Sequence, residues 1–105
     1  MTQQDQPAEP EIRLVAVVQA KPGHEESAAD ILKEAVGPSM SDDGCLEYTL
    51  HQDREVAGRF VFIECWADAN ALVTHEQTEH FLRLGQLLPP HIEGAAEILR
   101  LRRLD

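Results

Sequence analysis

CLEYTLHQD, residues 45–53, and RFVFIECWA, residues 59–67, both alternate with the period of a β-strand. In the first run Leu46, Tyr48 and Leu50 share one face, and Cys45, Glu47, Thr49 and His51 share the other. In the second, Phe60, Phe62, Glu64 and Trp66 point one way and Val61, Ile63 and Cys65 the other. A short polar link containing Gly58 joins them, so the pair is expected to form a β-hairpin.

Upstream of the hairpin, residues 12–20 (IRLVAVVQA) are β-branched and apolar on both faces, as in a central strand covered on both sides. Lys21-Pro22-Gly23 stops this strand. Residues 24–40 carry Ala28, Ile31, Leu32, Ala35 and Val36 at helical spacing, with Glu25 and Glu26 where the helix dipole favours acids. Gly37-Pro38 is expected to bend or interrupt that helix. Residues 41–44 (SDDG) make a turn. Downstream, Asp68 suits an N-cap for a helix over residues 69–76. Residues 78–88 form a second helical piece ended by Pro89-Pro90, and residues 95–104 the last strand.

The order is β-α-β-β-α-β, which in one short chain implies an α+β, ferredoxin-like fold with a four-stranded antiparallel sheet. Both helical segments then cover one sheet face. The first and third strands are nevertheless apolar on both faces. A second copy of the chain is the simplest cover for the other face, giving a homodimer built as a dimeric α/β barrel.

The 105 residues suffice for one core: a tail over residues 1–10 and a single domain over residues 11–105 are expected. No apolar run approaches the ~20 residues that span a bilayer, and the first ten residues lack the apolar stretch of a signal peptide. A cytoplasmic location is therefore expected. Cys45 and Cys65 make no disulfide framework and read as small buried strand residues. The net charge of −10 argues against nucleic acid or an anionic membrane surface as partner. Arg100, Arg102 and Arg103 read as the solvated end of a terminal strand.

Glu64 is the sharpest anomaly, a carboxylate between Phe62 and Trp66 on an aromatic strand face. It acts either as a general base or histidine-orienting acceptor, or as a structural carboxylate bonded to backbone amides, Arg59 or Tyr48. His75 and His80, five apart, share a helix face only if the helix breaks near Gln77-Thr78; they serve proton transfer or simple packing. As a zinc site the pair is weak, since no cysteine or third histidine has ligand spacing, and no metal is expected. His51 could join either group or remain a surface residue. His91 reads as loop. Trp66 serves as core filler or as the wall of a pocket for a flat substrate, and Tyr48 as donor or packing residue. No phosphate loop, dinucleotide fingerprint, nucleophile elbow or C-x-x-C pair occurs, so no bound cofactor is expected.

The runs KPGHE, DGCLEYTLHQD and RFVFIECWADANALVTHEQTEHF, taken in order and spacing, closely resemble the antibiotic biosynthesis monooxygenase domain family, in its quinol monooxygenase-like branch. The resemblance covers roughly residues 12–104. It implies the same ferredoxin-like fold and barrel-forming dimers, and matches Gly44, Tyr48, His51, Glu64, Trp66, His75, His80 and Phe81 to the recurrent pattern. Some members oxidise aromatics or quinols with O₂ and no metal or flavin; others degrade haem, isomerise a phosphorylated sugar, or have no known activity. The haem-degrading branch has an asparagine and a histidine where this chain has Ala16 and Gly85, which disfavours haem. For the sugar phosphate, the candidate basic residues Lys21, Lys33, Arg54, Arg59 and Arg83 lie in no phosphate motif.

The resulting expectation is cofactor-free oxygenation of a quinol or other small electron-rich aromatic by O₂. His75 or His80, supported by Glu64, would be the base. Trp66, Phe62 and Phe81 would wall the substrate site, and Tyr48 or His51 would place the substrate oxygen. The alternatives are an isomerase using the same histidines and Glu64, or a non-catalytic small-ligand-binding domain.

Overall fold

The computed structural model describes residues 11–105, and the expected tail at residues 1–10 lies outside the described residues. The elements are β1 (Ile12–Gln19), α1 (Glu25–Glu34), α2 (Val36–Met40), β2 (Cys45–Gln52), β3 (Arg59–Trp66), α3 (Ala69–His75), α4 (Glu79–Leu87), a 3₁₀ turn (Pro89–His91) and β4 (Glu97–Leu101). The four strands form one antiparallel sheet in the order β2-β3-β1-β4, the ferredoxin-like arrangement expected from the sequence. No helix among the described residues is long and apolar enough to cross a membrane.

The helices cover one face of this sheet. Leu14, Ala16 and Val18 of β1, Tyr48 of β2, and Phe60, Phe62 and Trp66 of β3 meet Ala28, Leu32 and Leu72 in a single core. Trp66, Ala28 and Leu32 are fully buried. On the opposite face Ile63, Leu99 and Leu101 are exposed, with Val15, Val17 and Val61 half-buried beside them. The register carries this apolar stripe across three strands: Val15 opposes Ile63 on one side and Leu99 on the other.

Three local expectations are corrected. The first helix breaks at Ala35, between α1 and α2, rather than at Gly37-Pro38. Pro38 is the third residue of α2, within the first turn, where a missing N–H leaves no intrahelical bond unmade. β2 carries a bulge between Cys45 and Glu47: Cys45 pairs with Trp66, yet Glu47 already pairs with Cys65. The extra residue, Leu46, is squeezed outward and is 57% exposed, so it does not share the face of Tyr48. The last strand is only five residues long, Glu97–Leu101, and Leu104 lies out in solvent.

Gly44 fixes how the bulged strand begins. Its φ of +80° is a left-handed conformation, and a Cβ added there would lie 2.5 Å from Ala71 Cβ. The loop therefore lies directly against α3, and Gly44 O accepts a 2.8 Å bond from Ala67 N. Asp68 caps α3, its Oδ1 accepting from Ala71 N at 2.8 Å. Thr78 caps α4 through Phe81 N. These two N-caps, ten residues apart, start separate helices, and the break after His75 turns His75 and His80 onto a common side.

Candidate active site

Between the sheet and α3–α4 lies a cavity of about 490 Å³. Its floor is Leu14, Ala16, Val18, Tyr48, Phe62 and Glu64 of the sheet; its roof is Leu72, His75, Phe81, Leu84 and Leu88 of the helices. Ile92, Ala96, Ile98 and Arg100 extend it over β4. A volume in this range accommodates a small aromatic molecule, and a mainly apolar lining with few convergent polar groups is the usual composition of such sites.

His75 is the polar residue most firmly held there. It is 2% exposed, at the C-terminal end of α3. Its Nδ1 lies 2.8 Å from Asp42 Oδ2. An ionised carboxylate can only accept, so the proton of this bond sits on Nδ1 and the lone pair of the neutral ring on Nε2. No protein partner of Nε2 is present among the described residues. The ring packs on Trp66 at 4.4 Å between centroids and edge-on to Phe81 at 5.1 Å, with Tyr48 at 5.6 Å.

Asp42 is the candidate site residue that sequence reasoning passed over. It sits in the SDDG stretch, whose composition signals a turn and nothing more. His80 Nε2 also lies 2.8 Å from the same Asp42 Oδ2. The break between α3 and α4 thus brings the two histidines together, with ring centroids 5.8 Å apart, as the five-residue spacing required. The carboxylate that joins them is Asp42, where the sequence had pointed to Glu64.

Glu64 instead accepts from the indole: Trp66 Nε1 lies 2.9 Å from Glu64 Oε1. Arg59, one of its expected structural partners, is bound to Asp53 at 2.9 Å. Burial pushes the Glu64 carboxyl above the ordinary carboxylate range; the indole bond opposes this and the Glu76 charge adds to it. Tyr48 is also driven upward, first by burial and then by the Glu64 charge, so its phenol stays neutral. Both thiols are raised as well, Cys45 and Cys65 each mainly by burial, which keeps them unreactive.

The other expected site residues divide clearly. Phe62, Phe81 and Tyr48 line the cavity. Trp66 does not; it is wholly buried behind His75 and acts on the cavity only through that ring. His80 lies outside the cavity, in a separate cleft with Gln77, Glu79 and Arg83. His51 belongs to the opposite sheet face: it pairs across from Val61, and its Nε2 lies 2.9 Å from Thr49 Oγ1. It therefore cannot place a substrate in this cavity. Arg100, read as a solvated strand end, turns toward the cavity rim and lies 3.8 Å from Glu76.

The sequence model of the family described as "Antibiotic biosynthesis monooxygenase" matches residues 11–86. Among solved structures, PA3566 from Pseudomonas aeruginosa is 39% identical, with a TM-score of 0.87 over 92% of this chain and 97% of that one. A structure described as an antibiotic biosynthesis monooxygenase is 31% identical, with a TM-score of 0.84 over 90% of this chain and 99% of that one. The Synechocystis protein sll1783 is 30% identical over 81 residues, 77% of this chain. The chain spans only 55% of the length of that curated relative.

Proposed function

Because the chain belongs to the antibiotic biosynthesis monooxygenase family, we propose that it is a cofactor-independent monooxygenase of the quinol-oxidising kind, with a flat hydroquinone or similar electron-rich aromatic as substrate. The observation that carries this reading is His75: Nδ1 tied to Asp42 and Nε2 left without a protein partner among the described residues, in a ring that borders a largely apolar cavity.

The chemistry follows from those features. His75 Nε2 takes the proton of a phenolic hydroxyl, and Asp42 stabilises the imidazolium that forms. The phenolate, held among apolar side chains, is a far better electron donor than the phenol. It passes one electron to O₂, and the resulting radical pair closes a C–O bond at a ring carbon. The O–O bond then breaks with loss of water. Hydroquinone and O₂ thereby give a hydroxyquinone and water, one oxygen atom going to each. Burial of the site keeps bulk water from quenching the anion. Phe62 and Phe81 supply the walls, and neutral Tyr48 is a donor for a substrate oxygen.

The outer sheet face is the surface through which the protein pairs with a second copy. Val15, Ile63, Leu99 and Leu101 form a continuous apolar stripe there, in a chain whose excess charge otherwise keeps surfaces wet.

The test is oxygen uptake with a naphthohydroquinone, corrected for autoxidation in a protein-free blank. The reading expects uptake above the blank and an oxygen atom from labelled O₂ in the product. Histidine-dependent turnover of a carbonyl substrate without O₂ would instead establish an isomerase, and tight aromatic binding with no turnover a binding domain.

A further inference from the structure

The pair of histidines lacked a third ligand by spacing along the chain; the fold supplies one. We propose that Asp42, His75 and His80 form a binding site for a divalent transition-metal ion such as Zn²⁺ or Co²⁺. The three donors come from the α2–β2 loop, the end of α3 and the start of α4, and their ligand atoms all lie within 4.8 Å of one another. Asp42 Oδ2 is 2.8 Å from His75 Nδ1 and 2.8 Å from His80 Nε2.

Two imidazoles with one carboxylate suit ions of intermediate hardness, whereas Ca²⁺ and Mg²⁺ prefer oxygen ligands throughout. At metal–ligand distances of about 2.0–2.2 Å, a tetrahedral ion needs each oxygen–nitrogen separation to open by about half an ångström. Side-chain rotation at His80, 24% exposed, opens one of these separations, and rotation at Asp42, 16% exposed, opens the other, while His75 stays in place. His80 borders the cleft that holds Gln77 and Glu79, so solvent reaches that side of the site. The net charge of −10 raises the local concentration of cations.

Asp42 and His80 do not line the substrate cavity, so the ion sits behind His75. Occupancy has a chemical consequence. The hydrogen bonds place a proton on His75 Nδ1 and on His80 Nε2; the ion takes both nitrogens, and each ring carries its proton on the other nitrogen instead. A neutral pair therefore binds the ion with no net proton release. His75 then presents an N–H at Nε2 where it had a lone pair. On the reading of His75 as the base, and only on that reading, the ion switches oxygenation off.

The full chain, stripped with EDTA, is titrated with ZnSO₄ in a calorimeter and with CoCl₂ in an absorption cell. One ion per chain is expected, with visible cobalt bands of low-symmetry nitrogen–oxygen ligation. His80→Ala, which removes the most exposed ligand, weakens binding by about 100-fold or more, and Asp42→Ala does likewise. His51→Ala, on the far sheet face, leaves binding unchanged. Absence of saturable binding in the unaltered chain overturns the site. So does binding that survives both His80→Ala and Asp42→Ala. The switch is read separately: Zn²⁺ suppresses oxygen uptake and EDTA restores it. A chain that binds one Zn²⁺ yet shows no uptake in either state overturns the oxygenase reading and leaves the metal site standing.

Discussion

Asp42 Oδ2 stands 2.8 Å from His75 Nδ1, although 33 residues separate the two in the chain. Neither residue is informative without the other. Asp42 alone is a turn residue; His75 alone is a histidine packed on a tryptophan. Together they define which ring nitrogen carries the proton, and hence which one can accept a proton from a substrate. The contact depends on Gly44, which lets the loop lie against α3.

His75→Ala should lower O₂-dependent turnover of a naphthohydroquinone by about 10²–10⁴-fold, the range for loss of a positioned general base. Asp42→Asn should cost less, since it keeps the shape of the acceptor and removes its charge. Steady-state kcat/KM values, corrected for autoxidation, check both. Full activity in His75→Ala excludes it as the base. His80→Ala is the companion variant, and because His80 lies outside the cavity its loss should be the smaller one.

Gly44→Ala should destabilise the fold twice over. The left-handed φ costs an L-residue about 1–2 kcal/mol, and the new methyl meets Ala71 Cβ at 2.5 Å. Adding Ala71→Gly removes the overlap but leaves the backbone strain. Urea denaturation of the two single variants and the double variant should therefore show a favourable coupling between positions 44 and 71. Additive losses would mean that the loop and α3 do not touch as described.

Glu64 sets a pH dependence whose sign follows from its environment. Burial, first, lifts the folded-state value above that of an unfolded glutamate. The folded state then binds more protons, so this contribution is fully present below the unfolded value of ~4.3 and is lost as pH rises through the folded one. Glu64→Gln keeps an acceptor for Trp66 and removes the charge, so this loss should vanish in the variant. Thermal melts from pH 4 to pH 8 on both proteins check it. Parallel curves would show that Glu64 is solvated. Trp66→Phe, by contrast, leaves the carboxylate without its donor and should cost on the order of 1–3 kcal/mol.

Sedimentation equilibrium at micromolar concentration should give twice the 11.7 kDa chain mass. Ile63→Lys places a charge at the centre of the outer apolar stripe and should give the monomer mass. A monomeric unaltered chain would leave that stripe facing water and sink the paired barrel.

Period-two alternation and helical spacing were sufficient for the order of elements, the hairpin and the two-faced strands, because they depend on neighbours two to four residues apart. They were sufficient as well for the Asp68 cap and for the break that brings His75 and His80 together. The Cys45–Glu47 bulge was not legible. Strict alternation put Leu46 with Tyr48, and only pairing with β3 shows that one residue is extra. Arg100 is solvated as read, with 58% of its side chain exposed, but its place at the cavity rim was not legible, because it follows from β4 lying beside β1 with Arg100 opposite Leu14.

The sequence by itself determined the fold and the presence of two histidines, a buried carboxylate and aromatic walls within a few elements. What only the tertiary structure decided is how these groups are partnered. Glu64 went to the nearest donor two residues along its own strand face, Trp66, because both side chains are buried on that face and the indole N–H needs an acceptor. The histidines went to Asp42, brought from a distant turn by the left-handed backbone at Gly44. Hydrogen-bond partnership depends on angstrom-scale placement of atoms far apart in the chain, and no local periodicity encodes that.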